Sequence, residues 1–477
     1  MSAFLEGLKA FTPRPSLWKN PFKKDKPHID WIFPKNRKKQ IVVLGSGWGG
    51  YGFSSKINRQ LYDVIMVSPR NHFLFTPLLA STTVGTLEFR CITEPVRALK
   101  DLKYHQGRCV SINEDNNTIT VRDSFDITNF YDIKYDYLIY SVGCKANDFG
   151  INGVQEHAQF LKQVRHAQKI REKIQELFER CDKPTTSRNE RDKLLSFIVV
   201  GGGPTSIEFA AEFHDWISQD GSKMFPHLMD HVNITLVEAT NRLLSGFGSD
   251  LADYTLSVLR KRKIKVLTNT AVINVTDDSV ELNDGYKLNY GLIVWATGNS
   301  SVDLTKDIEW EKTKSGRIKI DNNLNVLGKQ NIYAIGDCTE MDVGLPMIAQ
   351  VASQQGYYLA RKFNELLTYD PEKFDEEYKK YKETKPFSFF YRGTMLYVGG
   401  YKGAVSFPGH NQFVDNKTDH ETIGNEIGKR VTSLKGIRAW LFWRTAYLTM
   451  LRSAPNQILV PMYWFKAFVF GRDFSRF

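Results

Sequence analysis

An apolar run that breaks into glycines at fixed offsets, Ile41-Val42-Val43-Leu44-Gly45-Ser46-Gly47-Trp48-Gly49-Gly50, leaves few folds open to this chain. The apolar residues have strand length, and the glycines mark a tight turn into a helix. Gly45 permits the turn, Gly47 presents no Cβ to an approaching pyrophosphate, and Gly50 lets the helix pack closely on the strand. The N–H groups at the helix start then face the phosphate. One such motif is a weak signal, but the chain repeats it at Phe197-Ile198-Val199-Val200-Gly201-Gly202-Gly203-Pro204-Thr205-Ser206-Ile207-Glu208. Ser206 takes the third glycine's place, a small residue that loosens packing only slightly. The expectation is an α/β chain with two Rossmann-type domains, each holding a dinucleotide.

At 477 residues the chain has room for two or three domains around a large core. Its 42% hydrophobic and 25% charged residues exclude disordered and collagen-like chains. Cys91, Cys109, Cys144, Cys181 and Cys338 are scattered with no C-x-x-C, which argues against a disulfide framework, a thiolate metal site and a redox dithiol. No metal is expected. A net charge of +11 points to an anionic partner. Its basic residues gather at the two ends of the chain, and at the C-terminal end they alternate with Trp, Phe and Leu. That favours a membrane surface over nucleic acid. No uncharged apolar run is long enough to span a bilayer, so the protein is expected to lie on the membrane.

The strand ends tell the two nucleotides apart. Tyr62-Asp63-Val64-Ile65-Met66-Val67 leads into Ser68-Pro69-Arg70, without the acid that usually binds ribose hydroxyls. Ser68 can still hydrogen-bond, and Arg70 can approach a pyrophosphate or adenosine. In the second unit Ile234-Thr235-Leu236-Val237 ends in Glu238, which accepts from ribose hydroxyls and repels a 2′-phosphate. NADH is therefore expected there in preference to NADPH. Strands running into Gly143, Gly298 and Gly336 return to the two units, so the chain crosses between them more than once. Phe73-Leu74-Phe75-Thr76-Pro77-Leu78-Leu79 is apolar for a loop and must cover something. Asn116-Asn117 and Asp284-Gly285 predict hairpins, helical spacing starts at Val164, and the polar run 182–193 reads as a linker.

On these residues, and on the segments Trp295–Asn299, Tyr333–Asp337 and Ala349–Gln355, the sequence resembles the type II NADH dehydrogenases. These are single-subunit, non-proton-pumping NADH:quinone oxidoreductases, and the fungal mitochondrial members are the most similar in the tail. The resemblance implies a two-dinucleotide-binding flavoprotein fold with FAD on the first unit, NADH on the second, and a peripheral place on the mitochondrial inner membrane. It implies Asp337 at the FAD ribitol, Thr76 and Pro77 beside the flavin, and Gly143, Gly298, Asn299, Gly336 and Ala349 at the cofactors. Glu208, Gln350 and Gln354 become the candidate catalytic residues. The four-residue spacing of the glutamines puts both amides on one helix face, within reach of a quinone carbonyl. Two alternatives stay open: a sulfide:quinone oxidoreductase, and a flavin-binding scaffold similar to apoptosis-inducing-factor proteins.

The expected division is a basic leader at 1–39, an FAD-binding domain at 40–160 with a return segment at 301–345, an NADH-binding domain at 161–300, and a quinone-site and membrane-anchoring region at 346–477. A homodimer is among the expectations. In the tail, Lys435, Arg438, Thr445, Thr449 and Arg452 project to one helical face, and Trp440, Trp443, Tyr447, Met450 and Leu451 to an apolar one. The apolar face is expected to meet lipid, with Gln457–Phe470 dipping in behind it.

Overall fold

The computed structural model describes residues 38–245, 247–366, 386–407, 413–414 and 433–475. Almost all of the expected leader lies outside them, and every described residue but Lys38 belongs to one compact unit, Lys39–Phe477.

Lys39–Leu44 (β1) is buried along nearly its whole length, as a parallel strand covered on both faces must be. It runs through the glycine turn into Trp48–Lys56 (α1) and pairs in parallel with Tyr62–Val67 (β2). Lys103–His105 (β3) and Tyr137–Tyr140 (β4) add to either side. Helix Val164–Cys181 (α2) leads toward the second nucleotide unit, which repeats the plan: Ser196–Val200 (β5), Pro204–Trp216 (α3), Asn233–Val237 (β6), Lys265–Leu267 (β7) and Leu292–Trp295 (β8). Ile332–Ala334 (β9) then returns to the first unit and pairs in parallel with β4. The sheets are therefore ordered β9-β4-β1-β2-β3 and, with the short strand Gln159–Phe160 at its edge, β8-β5-β6-β7. Each unit also carries a three-stranded meander, at 107–134 and 272–289, with both expected hairpins in place.

The expected linker at 182–193 contains a helix, Arg188–Leu194. Ser187 caps it by accepting from the Glu190 N–H, the Ser-x-x-Glu signature that polarity alone conceals. Helix Ala349–Leu366 (α4) packs against α1 through small residues: a Cβ on Gly356 would stand 2.5 Å from the Gly49 carbonyl oxygen. Its Phe363 ring meets Phe53, Tyr62, Tyr137 and Tyr333 and closes the first core. In the second unit Phe178, Phe197, Phe213 and Trp216 form a connected aromatic cluster, part edge-on and part stacked, that ends on Phe474.

The C-terminal region builds an antiparallel sheet from Thr394–Gly399 (β10), Lys402–Ser406 (β11) and Ser433–Gly436 (β12), followed by helices Ile437–Met450 (α5) and Ala454–Phe470 (α6). The expected lipid-facing aromatic face is corrected here. Lys435 lies on a strand and pairs with Asp250, and Trp443, Tyr447 and Leu451 are buried in the protein's own core instead of facing lipid. The sheet beneath α5 offers an apolar surface that a helical projection does not contain. What faces outward is Ile437, Leu441 and Phe442 on α5 and Met462, Phe465 and Phe468 on α6.

Candidate functional site

In the first glycine turn Gly45 has φ +104°, and a Cβ on Gly50 would stand 2.0 Å from the Gly45 carbonyl oxygen, so both positions require glycine. A Cβ on Gly47 would meet only the Arg70 guanidinium, 3.8 Å away. Arg70 thus stands over the place where a pyrophosphate meets the turn. Burial pulls its pKa below the usual range, and among the described residues its guanidinium has no carboxylate partner. That is an unanswered cation in a cradle open to an anion. Ser68 is buried and tied to Ser46 Oγ at 3.0 Å and to the Arg70 N–H at 3.2 Å, so it holds the turn together. The Trp48 indole donates to Thr76 Oγ1 at 3.0 Å, fixing the Thr76-Pro77 turn beside the cradle.

In the second turn Gly201 has φ +115° and nothing lies within 4 Å of a Cβ on Gly203, leaving that face open. Ser206 donates to the Ala296 carbonyl at 3.2 Å, so the substituted glycine ties helix to return strand. Glu238 spans the turn, accepting from the Gly202 N–H on one oxygen and from the Thr240 N–H at 2.7 Å on the other. The two units meet where Cys144–Ala146 pairs antiparallel with Asn299–Ser301, just past Gly143 and Gly298. Asp337 follows Gly336 at this crossing and accepts from Cys144 Sγ at 3.2 Å, and Lys162 Nζ reaches Asn299 Oδ1 at 2.6 Å. Burial, with Asp337 adding to it, pushes the Cys144 thiol up to about 12, so it is no ready nucleophile.

Both glutamines are committed to the backbone. Gln350 donates to the Gly393 carbonyl at 2.8 Å and accepts from the Arg392 N–H at 3.1 Å. Gln354 does the same with the Phe390 carbonyl and N–H, at 2.8 and 2.9 Å. They clamp 390–393 onto α4, near its start at Ala349, and each amide keeps one N–H and one lone pair to spare. Glu208, only 8% exposed, accepts from the Tyr397 N–H at 3.2 Å beside Trp443 and Tyr447. Burial pushes its carboxyl up to about 8.

The pyridine nucleotide-disulphide oxidoreductase model matches residues 39–356, and the NDH2 C-terminal domain model matches 391–473. A probable NADH dehydrogenase of Dictyostelium discoideum is 41% identical over 92% of this chain and 91% of its own length. The chain belongs to the type II NADH dehydrogenases. The external NADH-ubiquinone oxidoreductase 2 of Saccharomyces cerevisiae, a mitochondrial protein, is 35% identical over 92% of this chain and 82% of its own. The solved NDH2 of Plasmodium falciparum, in complex with NADH, superposes with a TM-score of 0.82 at 28% identity, covering 92% of this chain and all of that one. The sulfide:quinone oxidoreductase of Aquifex aeolicus shares the fold alone, at 17% identity and a TM-score of 0.65.

Sequence reasoning about this type II NADH dehydrogenase missed the place of Arg452. Its guanidinium lies among Trp48, Tyr51, Phe73 and Tyr357 and donates to Ser353 Oγ at 3.3 Å, between the two glutamines in the chain. It also missed the carboxylates of Glu212 and Asp215, which continue the face of α3 that Glu208 begins. For these two, spacing of three and four residues on one helix was the available signal.

Proposed function

We propose that this chain oxidises NADH and passes both electrons to a membrane quinone without pumping protons, as a peripheral protein of the mitochondrial inner membrane. The observation that carries the reading is the opposite electrostatics of the two cradles. Arg70, a cation with no carboxylate partner among the described residues, tops the first and suits a pyrophosphate, while the Glu238 carboxylate edges the second and suits free ribose hydroxyls. The first fits FAD, held by the 45–50 turn, Arg70 and Asp337, and the second fits NADH. Bound FAD supplies a two-electron acceptor for hydride from NADH and a donor to quinone. The protein orients the substrates and keeps water from the reacting atoms. Thr76, Pro77 and Ala349 border the flavin position, and the spare N–H of Gln350 and Gln354 serves a quinone carbonyl.

The division expected from sequence fits this reading, with FAD on 40–160 and 301–345, NADH on 161–300 and the quinone and membrane functions on 346–477. The outward apolar residues of α5 and α6, with Arg438 and Lys466 among them, suit the surface of an anionic membrane, where a quinone dissolves.

Anaerobic stopped-flow tests the reading: the purified protein is yellow, NADH bleaches it in one rapid phase, and quinone restores the colour. Colourless folded protein, or bleaching by sulfide but not by NADH, refutes it.

A further inference from the structure

A cavity of about 360 Å³ opens beside the C-terminal half of α2, a volume in the range of small-molecule sites. None of its lining residues belongs to a glycine turn or to α4, so it stands apart from the site described above. One wall is α2 with Gln175, Phe178 and Glu179, continued by Lys183 past the helix end. The other is Met224 and Phe225, which follow α3, with Phe474 of the tail. Aromatic rings converge here from three elements. Phe178 meets Phe225 at 5.4 Å and Trp216 at 5.0 Å between ring centroids, and Trp216 stacks on Phe474 at 4.3 Å.

The polar groups along the α2 wall come in a fixed order. A spacing of four puts Gln175 and Glu179 on one helix face, one turn and about 6 Å apart. Lys183 lies four residues further on. Gln175 is only 6% exposed and marks the inner end; its NH₂ donates to the Phe474 carbonyl, and its Oε1 has no hydrogen-bond partner among the described residues. A buried acceptor left without a donor is costly until something supplies an N–H or O–H. Glu176 is taken up by Lys173 and Arg180, and Arg180 also by Glu190, whereas Glu179 and Lys183 have no ion-pair partner among the described residues. From the inside outward the wall offers an acceptor, an anion and a cation. The carbonyl end of α2, whose last turn contains Glu179, adds partial negative charge beside it.

A ligand that answers this wall carries a donor, a cation and an anion in that order along an apolar body. We propose that the cavity binds a free aromatic amino acid whose ring bears a hydrogen-bond donor, with tyrosine as the type case. Its phenol O–H donates to the Gln175 amide oxygen, and its ring packs among Phe178, Phe225 and Phe474. Its ammonium meets Glu179, and its carboxylate meets Lys183. In tyrosine the phenol oxygen and the ammonium stand about one helical turn apart, which matches the spacing of Gln175 and Glu179. Nucleotides fit poorly, since their phosphates would face Glu176 and Glu179.

The test is isothermal titration of the full-length, FAD-loaded protein with L-tyrosine, L-phenylalanine and hydroxyphenylpropionate. Phenylalanine lacks the ring donor and hydroxyphenylpropionate lacks the ammonium. Tyrosine should bind one per chain, about ten-fold tighter than either of the others. Gln175→Leu should erase the preference for tyrosine over phenylalanine, and Glu179→Gln the preference over hydroxyphenylpropionate. Glu179 is exposed, so its variant keeps the test decisive if Gln175→Leu folds poorly. No binding of tyrosine up to its solubility limit overturns the proposal, as does equal affinity for all three ligands. Tyrosine binding that both substitutions leave unchanged puts the ligand elsewhere and overturns it too. Binding that appears only after removal of residues 476–477 does the same, by assigning the cavity to those residues.

Discussion

Glu238→Gln probes the nucleotide choice, because the structure shows what that carboxylate does before any nucleotide arrives. It accepts from the Gly202 and Thr240 N–H groups, one on each oxygen, and each oxygen has a second lone pair for a ribose hydroxyl. A glutamine has one carbonyl oxygen, so one of these N–H groups faces an NH₂ and loses its acceptor, costing about 1–2 kcal/mol of local stability. Its ribose bond changes from charge-assisted to neutral, a loss of about 1.4 kcal/mol or ten-fold in affinity for NADH. A 2′-phosphate near this half-buried carboxylate meets a repulsion between about 1 kcal/mol, the water limit, and about 4 kcal/mol, the protein-surface value. A middle figure of about 2 kcal/mol is some 30-fold in favour of NADPH once relieved. Together the preference for NADH over NADPH should fall by about two orders of magnitude. KM and kcat for the two nucleotides at fixed quinone measure it, with the change in KM and kcat nearly constant. An unaltered ratio would mean that Glu238 serves only the turn and that the ribose lies elsewhere.

Three further outcomes rest on burial and hydrogen bonding. Burial raises Glu208 to about 8, so the folded chain keeps a proton that the unfolded chain releases near 4.5. Stability therefore falls as pH rises from about 4.5 to about 8; urea titrations should show this slope reduced in Glu208→Gln, and an unchanged slope refutes the assignment. Gln354→Leu strands the Phe390 N–H and carbonyl, costing about 2–4 kcal/mol, and should slow flavin reoxidation by quinone more than reduction by NADH in stopped-flow. Removing α5, α6 and the link between them deletes Trp443, Tyr447, Leu451, Val460 and Trp464 from the core. At about 1.5–3 kcal/mol each this rivals the whole stability of a domain, so the truncated chain should not fold by circular dichroism. Replacing the exposed Leu441, Phe442, Phe465 and Phe468 by serine or glutamine should instead leave a folded protein that no longer floats with anionic liposomes.

The sequence by itself determined the two nucleotide units, because their constraints are local. A glycine at φ +104° or +115°, a strand ending in an acid and a hairpin at Asp284-Gly285 depend on residues within a few positions of one another. The same locality made Glu238 legible as a candidate, whereas Asp337 entered through the family resemblance. Tertiary structure decided everything that depends on which surface meets which. The aromatic face of α5 reads as lipid-facing on a helical wheel, yet the sheet of β10 and β11, distant in sequence from the glycine motifs, covers it and turns another face outward. Gln350 and Gln354 read as free amides until the chain at 390–393, some 40 residues away, folds back and occupies them. The surroundings of Arg452 and Glu212 have no local signature beyond the helical spacing of Glu212 from Glu208. They are a ring of aromatics and a cavity assembled from separate elements, and burial in such a space, not sequence neighbours, sets what a charged side chain can do.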